Sequence, residues 1–258
     1  MWEKESTVTN QAVKEAGEVL TGLFGNLKGI NKKGEIDLVT EADISSEKAI
    51  LEIIRENFPD DGILSEESGE IDNNSERLWM IDPLDGTTNY AHSFPFFAVS
   101  IALQVKGKTV LGHVFNPVLN EHFEAVKDQG AFLNGRPIKV SQTQTLKESL
   151  LATGFPYTIY RDHEGVIDLF TRMIVGAQGV RRPGAAAIDL CYVASGRFDG
   201  FWEQGLNPWD TAAGSLVVQE AGGLLSDYNG NAYSPFQKTI VAANPHIFKE
   251  MLRVLNPD

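Results

Sequence analysis

The run Trp79-Met80-Ile81-Asp82-Pro83-Leu84-Asp85-Gly86-Thr87-Thr88-Asn89 sets two carboxylates three residues apart, directly after an apolar segment with the look of a strand. Carboxylates with no His or Cys beside them are hard oxygen ligands, which favours Mg2+ or Mn2+ over Zn2+. Pro83 would stiffen the exit from the strand, and Gly86 would let the backbone come close to a bound anion. The same Asp-Pro-x-Asp-Gly string also reads as a plain turn, since all of its residue types are turn formers. Taken by itself, the stretch supports both readings equally.

Three other places carry candidate chemistry. Asn207-Pro208-Trp209-Asp210 opens an apolar helix that closes at Gly222-Gly223. Asn207 suits the N-cap, Pro208 the first helical position, and Asp210 falls in the first turn, where the helix dipole favours an ionised acid. Ser65-Glu66-Glu67-Ser68 places two acids after the strand-like Gly62-Ile63-Leu64; as an isolated pair, such acids belong more often to a solvated loop than to a ligand set. Pro183-Gly184-Ala185-Ala186-Ala187 opens a helix with small residues, and its exposed N–H groups suit a hydroxyl or an anion as well as close helix packing.

The elements that must position these residues are those of compact α/β material. Apolar periodicity predicts a helix over residues 7–24, ended by Gly25, and a second over 40–58 that begins with a capping-box-like Thr40-Glu41-Ala42-Asp43 and stops at Pro59. Residues 29–35, with Lys32, Lys33 and Gly34, read as a loop. Strands are expected at 62–64, 78–81 and 97–103, as a hairpin flanking Asn116-Pro117-Val118-Leu119-Asn120, and after the Asn134-Gly135 turn. Beyond about residue 145 strand and helix alternate, with helices expected over 167–174, 185–194, 208–221 and 246–255, which sets an expected boundary between a 1–145 subdomain and a 146–258 subdomain.

Composition narrows the function. The chain has 258 residues, 42% of them apolar, with a net charge of −13. Such a balance argues against a nucleic-acid surface, which needs a basic stripe to release counterions. It suits a protein that handles cations, since divalent ions on clustered carboxylates turn an acidic pocket into one that attracts phosphate. The single cysteine, Cys191, rules out an intrachain disulfide and reads as core. No apolar run approaches the ~18 residues of a membrane span, and the start lacks the form of a signal peptide, so a cytoplasmic location with no membrane partner is expected.

Together these motifs resemble the inositol monophosphatase family. The resemblance is carried by residues 79–89, Phe94-Pro95-Phe96-Phe97-Ala98-Val99-Ser100, Ser65-Glu66-Glu67-Ser68 and Trp209-Asp210-Thr211-Ala212-Ala213-Gly214, in that family's order. It extends from Asp37-Leu38-Val39-Thr40-Glu41-Ala42-Asp43 to Ala242-Ala243-Asn244, and Phe201-Trp202-Glu203-Gln204-Gly205 looks like the bacterial branch. The resemblance implies an α+β or α/β fold, a layered αβαβα sandwich of the sugar-phosphatase type, usually as a homodimer. It implies two or three Mg2+ ions, with Mn2+ as an alternative, held by Glu66, Asp82, the Leu84 carbonyl, Asp85 and Asp210. Glu66 and Thr87 would activate a water, with Asp43 behind Thr87. Gly86, Thr87 and Thr88 would cradle the phosphate, and Asp85, Gly184, Ala185, Ala186, Glu203 and Asp210 would meet the substrate. Either Lys32 or Lys33 would approach the metals.

The implied reaction is hydrolysis of inositol 1-phosphate or another small phosphorylated polyol or sugar. Related chains act on fructose 1,6-bisphosphate or NADP, and residues 154–163 fall where such enzymes vary. The resemblance also implies a role of another class, since some bacterial members join transcription antitermination complexes. The scattered histidines, His92, His113, His122, His163 and His246, have no part in the implied site.

Overall fold

The computed structural model describes residues 2–27, 30–32, 38–71, 74–161 and 163–256. In chain order the elements are α1 (Glu3–Leu23), β1 (Ile30–Lys32), β2 (Leu38–Thr40), α2 (Glu41–Asn57), β3 (Gly62–Ser65), β4 (Gly69–Ile71), β5 (Arg77–Asp85), α3 (Thr87–Ala91), β6 (Ala98–Val105), β7 (Lys108–Asn116), β8 (Glu121–Val126), β9 (Ala131–Leu133) and β10 (Arg136–Pro137). They continue with β11 (Leu150–Thr153), α4 (Glu164–Gly176), β12 (Gly179–Arg181), α5 (Ala186–Ala194), β13 (Gly200–Gln204), α6 (Pro208–Glu220), β14 (Leu224–Ser226), β15 (Thr239–Ala243) and α7 (Phe248–Leu255). No helix among the described residues is long and apolar enough to cross a membrane.

An eight-stranded sheet, ordered β10-β9-β8-β7-β6-β5-β3-β4, and a five-stranded sheet, ordered β12-β11-β13-β15-β14, form two of five layers. The large sheet is antiparallel except where β3 runs parallel to β5. In the small sheet β11 is parallel to both β12 and β13. Strand alternation assigns the layers. On β5, Trp79 and Ile81 pack with Ala12, Leu20, Ile50 and Ile54 of α1 and α2, whereas Met80 joins Ile188, Leu190, Leu216 and Val217 of α5 and α6. On β13, Phe201 faces that same middle layer, whereas Trp202 joins Met173 of α4 and Met251 of α7 on the far side. The result is an α+β sandwich of layers αβαβα.

Close approach sets the spacing of the middle layer. A Cβ on Gly112 of β7 would stand 2.8 Å from the carbonyl oxygen of Ala213, and one on Gly214 would stand 2.7 Å from the Leu190 side chain. Glycine is therefore what lets α6 lie directly on the large sheet and against α5.

The second helix begins as its sequence predicts. Thr40 accepts from the Ala42 N–H at 3.1 Å, and Asp43 accepts from the Thr40 N–H at 2.7 Å. The first helix starts four residues before the predicted Thr7, because Glu3 and Glu5 in its first turn favour the helix without adding to the apolar stripe. The expected loop at 29–35 is a strand at Ile30–Lys32, paired antiparallel with Leu38–Thr40. Lys33 and the side chain of Lys32 lie outside the described residues. The predicted hairpin around 116–120 is the β7–β8 pair.

Candidate active site

Period-two alternation decides where the acids point. Two residues beyond Met80 on β5, Asp82 turns toward the middle layer, and on β13 Glu203 shares its side of the strand with Phe201. The β5–β6 pairing slips between Asp82 and Asp85, so the strand ends in an irregularity that brings Asp85 to the same end of the layer. Asp210 arrives there from the first turn of α6. Glu66 follows β3, the parallel neighbour of β5. A cavity of about 350 Å³ is lined by Glu66, Asp82, Leu84, Asp85, Gly86, Thr87, Thr88, Gly184, Ala185, Ala186, Glu203 and Asp210, among others. Asp43 lies behind it, fully buried.

The three aspartates of the cleft are each held by a backbone N–H. Asp82 accepts from the Leu84 N–H at 3.0 Å, and Asp85 accepts from the Ala187 N–H at 2.8 Å, capping α5. Asp210 accepts from the Asn207 N–H at 2.7 Å, the acid half of a capping box. The Thr87 hydroxyl lies 3.0 Å from Asp43 Oδ1 and 3.0 Å from the Leu84 carbonyl oxygen, with either as acceptor. Gly86 sits at φ 93°, a left-handed backbone that glycine adopts freely, and starts α3. The starts of α3, α5 and α6 thus all border one cavity, and their dipoles make that end of the layer receptive to an anion.

The charges are crowded. Burial first, then Glu66, Asp85 and Asp210, push the Asp82 carboxyl well above the ordinary carboxylate range. Burial pushes Asp85 up to about 7 against the pull of the Ala187 N–H, and Asp210 up to about 7 against that of the Asn207 N–H. Glu203 is pushed up to about 8 by burial, opposed by Arg182. Burial also raises Asp43, opposed by its hydrogen bonds with Thr40 and Thr87. Glu66, Asp85 and Asp210 crowded on Asp82 suit divalent cations, because a bound cation offsets the repulsion among these carboxylates. The all-oxygen donor set fits Mg2+ or Mn2+.

Several residues that shape the cleft were not singled out by the sequence reading. Glu47, buried on α2, accepts from the hydroxyls of Ser65 and Ser68 and from the Glu67 N–H at 3.0 Å, fixing the segment that carries Glu66. Asn89 donates to the carbonyls of Phe96 at 2.7 Å and Pro183 at 2.9 Å, joining α3 to the approach to α5. Asp189, fully enclosed on α5, is pushed well up by burial and then by Glu203. Phe155, Pro156, Tyr157 and Ile159, from the variable stretch 154–163, form one wall, and the Arg182 guanidinium lies 5.8 Å from the Phe155 ring. Asp162 lies outside the described residues. Glu47 and Asn89 could have been found only as polar residues on otherwise apolar faces.

A five-layer sandwich with a carboxylate-lined cleft at the end of its middle layer defines a class of layered phosphatases, and comparison with known proteins makes the class specific. The model of the inositol monophosphatase family matches residues 1–256, and the chain belongs to that family. The family is generally metal-dependent. An inositol-1-monophosphatase from Synechocystis is 46% identical over 250 residues, covering 96% of this chain and 87% of the relative. A protein named Nus factor SuhB from Pseudomonas aeruginosa is 43% identical over 257 residues, covering 96% and 94%. Among solved structures, the extragenic suppressor protein suhB of Bartonella henselae superposes with a TM-score of 0.93 at 42% identity, covering 97% of this chain and 98% of that one.

Proposed function

We propose that this chain is a Mg2+-dependent phosphomonoesterase that hydrolyses inositol 1-phosphate or a close polyol phosphate. The observation that carries this reading is the convergence of Glu66, Asp82, Asp85 and Asp210 on one cavity bordered by three helix starts. In this reading Glu66, Asp82 and the Leu84 carbonyl hold one ion and Asp82, Asp85 and Asp210 a second, with a third ion or Mn2+ compatible with the same oxygen donors. Bound there, the ions supply charge neutralisation for the phosphate and activation of a water.

The chain's own groups do the rest. The N–H groups at Gly86, Thr87 and Thr88 receive the phosphate oxygens. Thr87, its hydroxyl hydrogen-bonded to Asp43 or to the Leu84 carbonyl, turns an oxygen lone pair toward the cleft to orient the attacking water, whose proton passes to the Glu66 carboxylate. Positioning and charge neutralisation suffice for phosphoryl transfer, so no covalent nucleophile is needed. Glu203 and Asp210, with Asp85 and the backbone of Gly184, Ala185 and Ala186, receive ring hydroxyls. Carboxylates that accept from vicinal hydroxyls suit a polyol.

The test is Mg2+-dependent phosphate release from inositol 1-phosphate, fructose 1,6-bisphosphate and NADP, with Asp82→Asn as control. Preference for inositol 1-phosphate, lost in the variant, supports the reading; preference for another ester reassigns the substrate to what the 154–163 wall accepts. A second reading is favoured by relatives named Nus factor SuhB at 42–43% identity: the chain also binds protein partners, as in transcription antitermination. Partners retained by Asp82→Asn after hydrolysis is lost would separate the two roles. The homodimer that the family resemblance implies is tested by light scattering on the purified chain.

A further inference from the structure

Outside the cleft, the β7–β8 pair presents an unusual polar group beneath α1. The antiparallel register sets His113 opposite Glu124, and His122 lies two residues before Glu124, so all three side chains share the face that α1 covers. His113 Nδ1 stands 2.9 Å from His122 Nε2, and one ligand atom from each of the three residues falls within 4.8 Å of the others. His113 is fully enclosed, whereas His122 and Glu124 line a hollow of about 520 Å³ between α1 and the sheet.

We propose that His113, His122 and Glu124 form a second metal site, for a borderline divalent ion of the Zn2+ type, that cross-links β7 and β8 beneath α1. Two imidazoles and a carboxylate are a Zn2+ donor set, unlike the all-oxygen cleft. An ion ~2.0–2.1 Å from each nitrogen needs those nitrogens ~3.3 Å apart for tetrahedral angles, so the nitrogens must part by ~0.4 Å and the rings must tilt until both lone pairs converge on the ion. The remote nitrogen of His113 lies 3.3 Å from the Ser6 hydroxyl, which suits the outer contact that fixes the tautomer of a ligating imidazole. With His113 Nε2–H directed at Ser6, its Nδ1 lone pair points toward His122. The fourth position opens on the hollow, which leaves room for a water.

The test is a Co2+ titration of the full chain with Mg2+ in excess to occupy the carboxylate cleft. A four- or five-coordinate visible band of one equivalent is expected in the wild type and in Asp82→Asn. In His122→Gln the Co2+ affinity falls by more than ~100-fold, beyond the ~10–100-fold that loss of an outer contact costs. Glu124→Gln, at a half-buried position where the shape is kept, weakens the band independently of how position 122 tolerates change. Zn2+ raises the melting temperature of Asp82→Asn and leaves that of His122→Gln unchanged, while His122→Gln keeps Mg2+-dependent phosphate release. Absence of the band, a band undiminished in His122→Gln, or a band lost in Asp82→Asn would overturn the proposal.

Discussion

Replacing Glu203 by Gln separates the stability of this fold from the substrate contact proposed for it. Glu203 is 7% exposed, and its carboxyl is pushed up from an ordinary 4.5 to about 8, mainly by burial. Between those two values the folded chain keeps a proton that the unfolded chain has released, so stability falls as pH rises through this window and stays low above it. Each tenfold in a proton equilibrium is worth ~1.4 kcal/mol, which places an upper figure of ~5 kcal/mol on the cost of ionising this group above pH 8. Gln keeps the shape and removes the titration. In chelator, to keep metals out of the cleft, denaturant midpoints of parent and E203Q are expected to lie within ~1 kcal/mol at pH 5, and E203Q is expected to be at least ~2 kcal/mol more stable at pH 8.5. With cations in the cleft keeping Glu203 ionised, the same variant replaces one of its two acceptor oxygens by a donor, so KM for inositol 1-phosphate is expected to rise ~10-fold with kcat little changed. Parallel stability curves for the two proteins across pH 5 to 8.5 would refute the argument, whatever their offset.

Asp82→Asn is expected to lower phosphate release by more than the ~10–100-fold that loss of an outer metal contact costs, and, in chelator at pH 8, to raise the melting temperature by removing the most crowded charge in the cleft. Gly86→Ala forces a side chain onto a φ of 93° and sets a Cβ 3.0 Å from the Phe96 carbonyl oxygen; a loss of ~1–3 kcal/mol, read by denaturation, and loss of turnover are expected. Gly112→Ala puts a Cβ 2.8 Å from the Ala213 carbonyl and must lift α6 from the sheet. A cost of ~1–3 kcal/mol is expected, together with weaker Mg2+ activation because α6 carries Asp210, checked by thermal melts and Mg2+ titration of activity.

What the sequence made legible was local. The Thr40 capping box, the Pro208 helix start, the β7–β8 hairpin and the Asn134-Gly135 turn each rest on residues within a few positions of one another, and the structure has each of them. The acids of the cleft were readable as candidates, and their order matched a family's. Hidden were the contacts that span the chain: Asp85 capping a helix 102 residues later, or Glu47 fastening a loop 20 residues away. Nothing in the string marks such pairs, because their partners are backbone N–H groups that every residue type offers. Three-residue strands such as β4, β12 and β14 were too short to show alternation. The His113 and His122 pair was invisible for a related reason, since it exists only once the β7–β8 register is set.

Membership of the small sheet has a consequence in time. Glu203 sits on β13, which lies between β11 and β15, and β15 begins at Thr239, long after β10 ends the large sheet at Pro137. During synthesis the large sheet, complete by Pro137, presents Asp82 and Asp85 long before Asp210 and Glu203 leave the ribosome, and the small sheet cannot close until β15 emerges. A nascent chain therefore carries a half-built cleft until Thr239 to Ala243 have emerged. A chain cut short of β15 would leave β13 without its antiparallel neighbour, so Glu203 would lose its support although no cleft residue had changed.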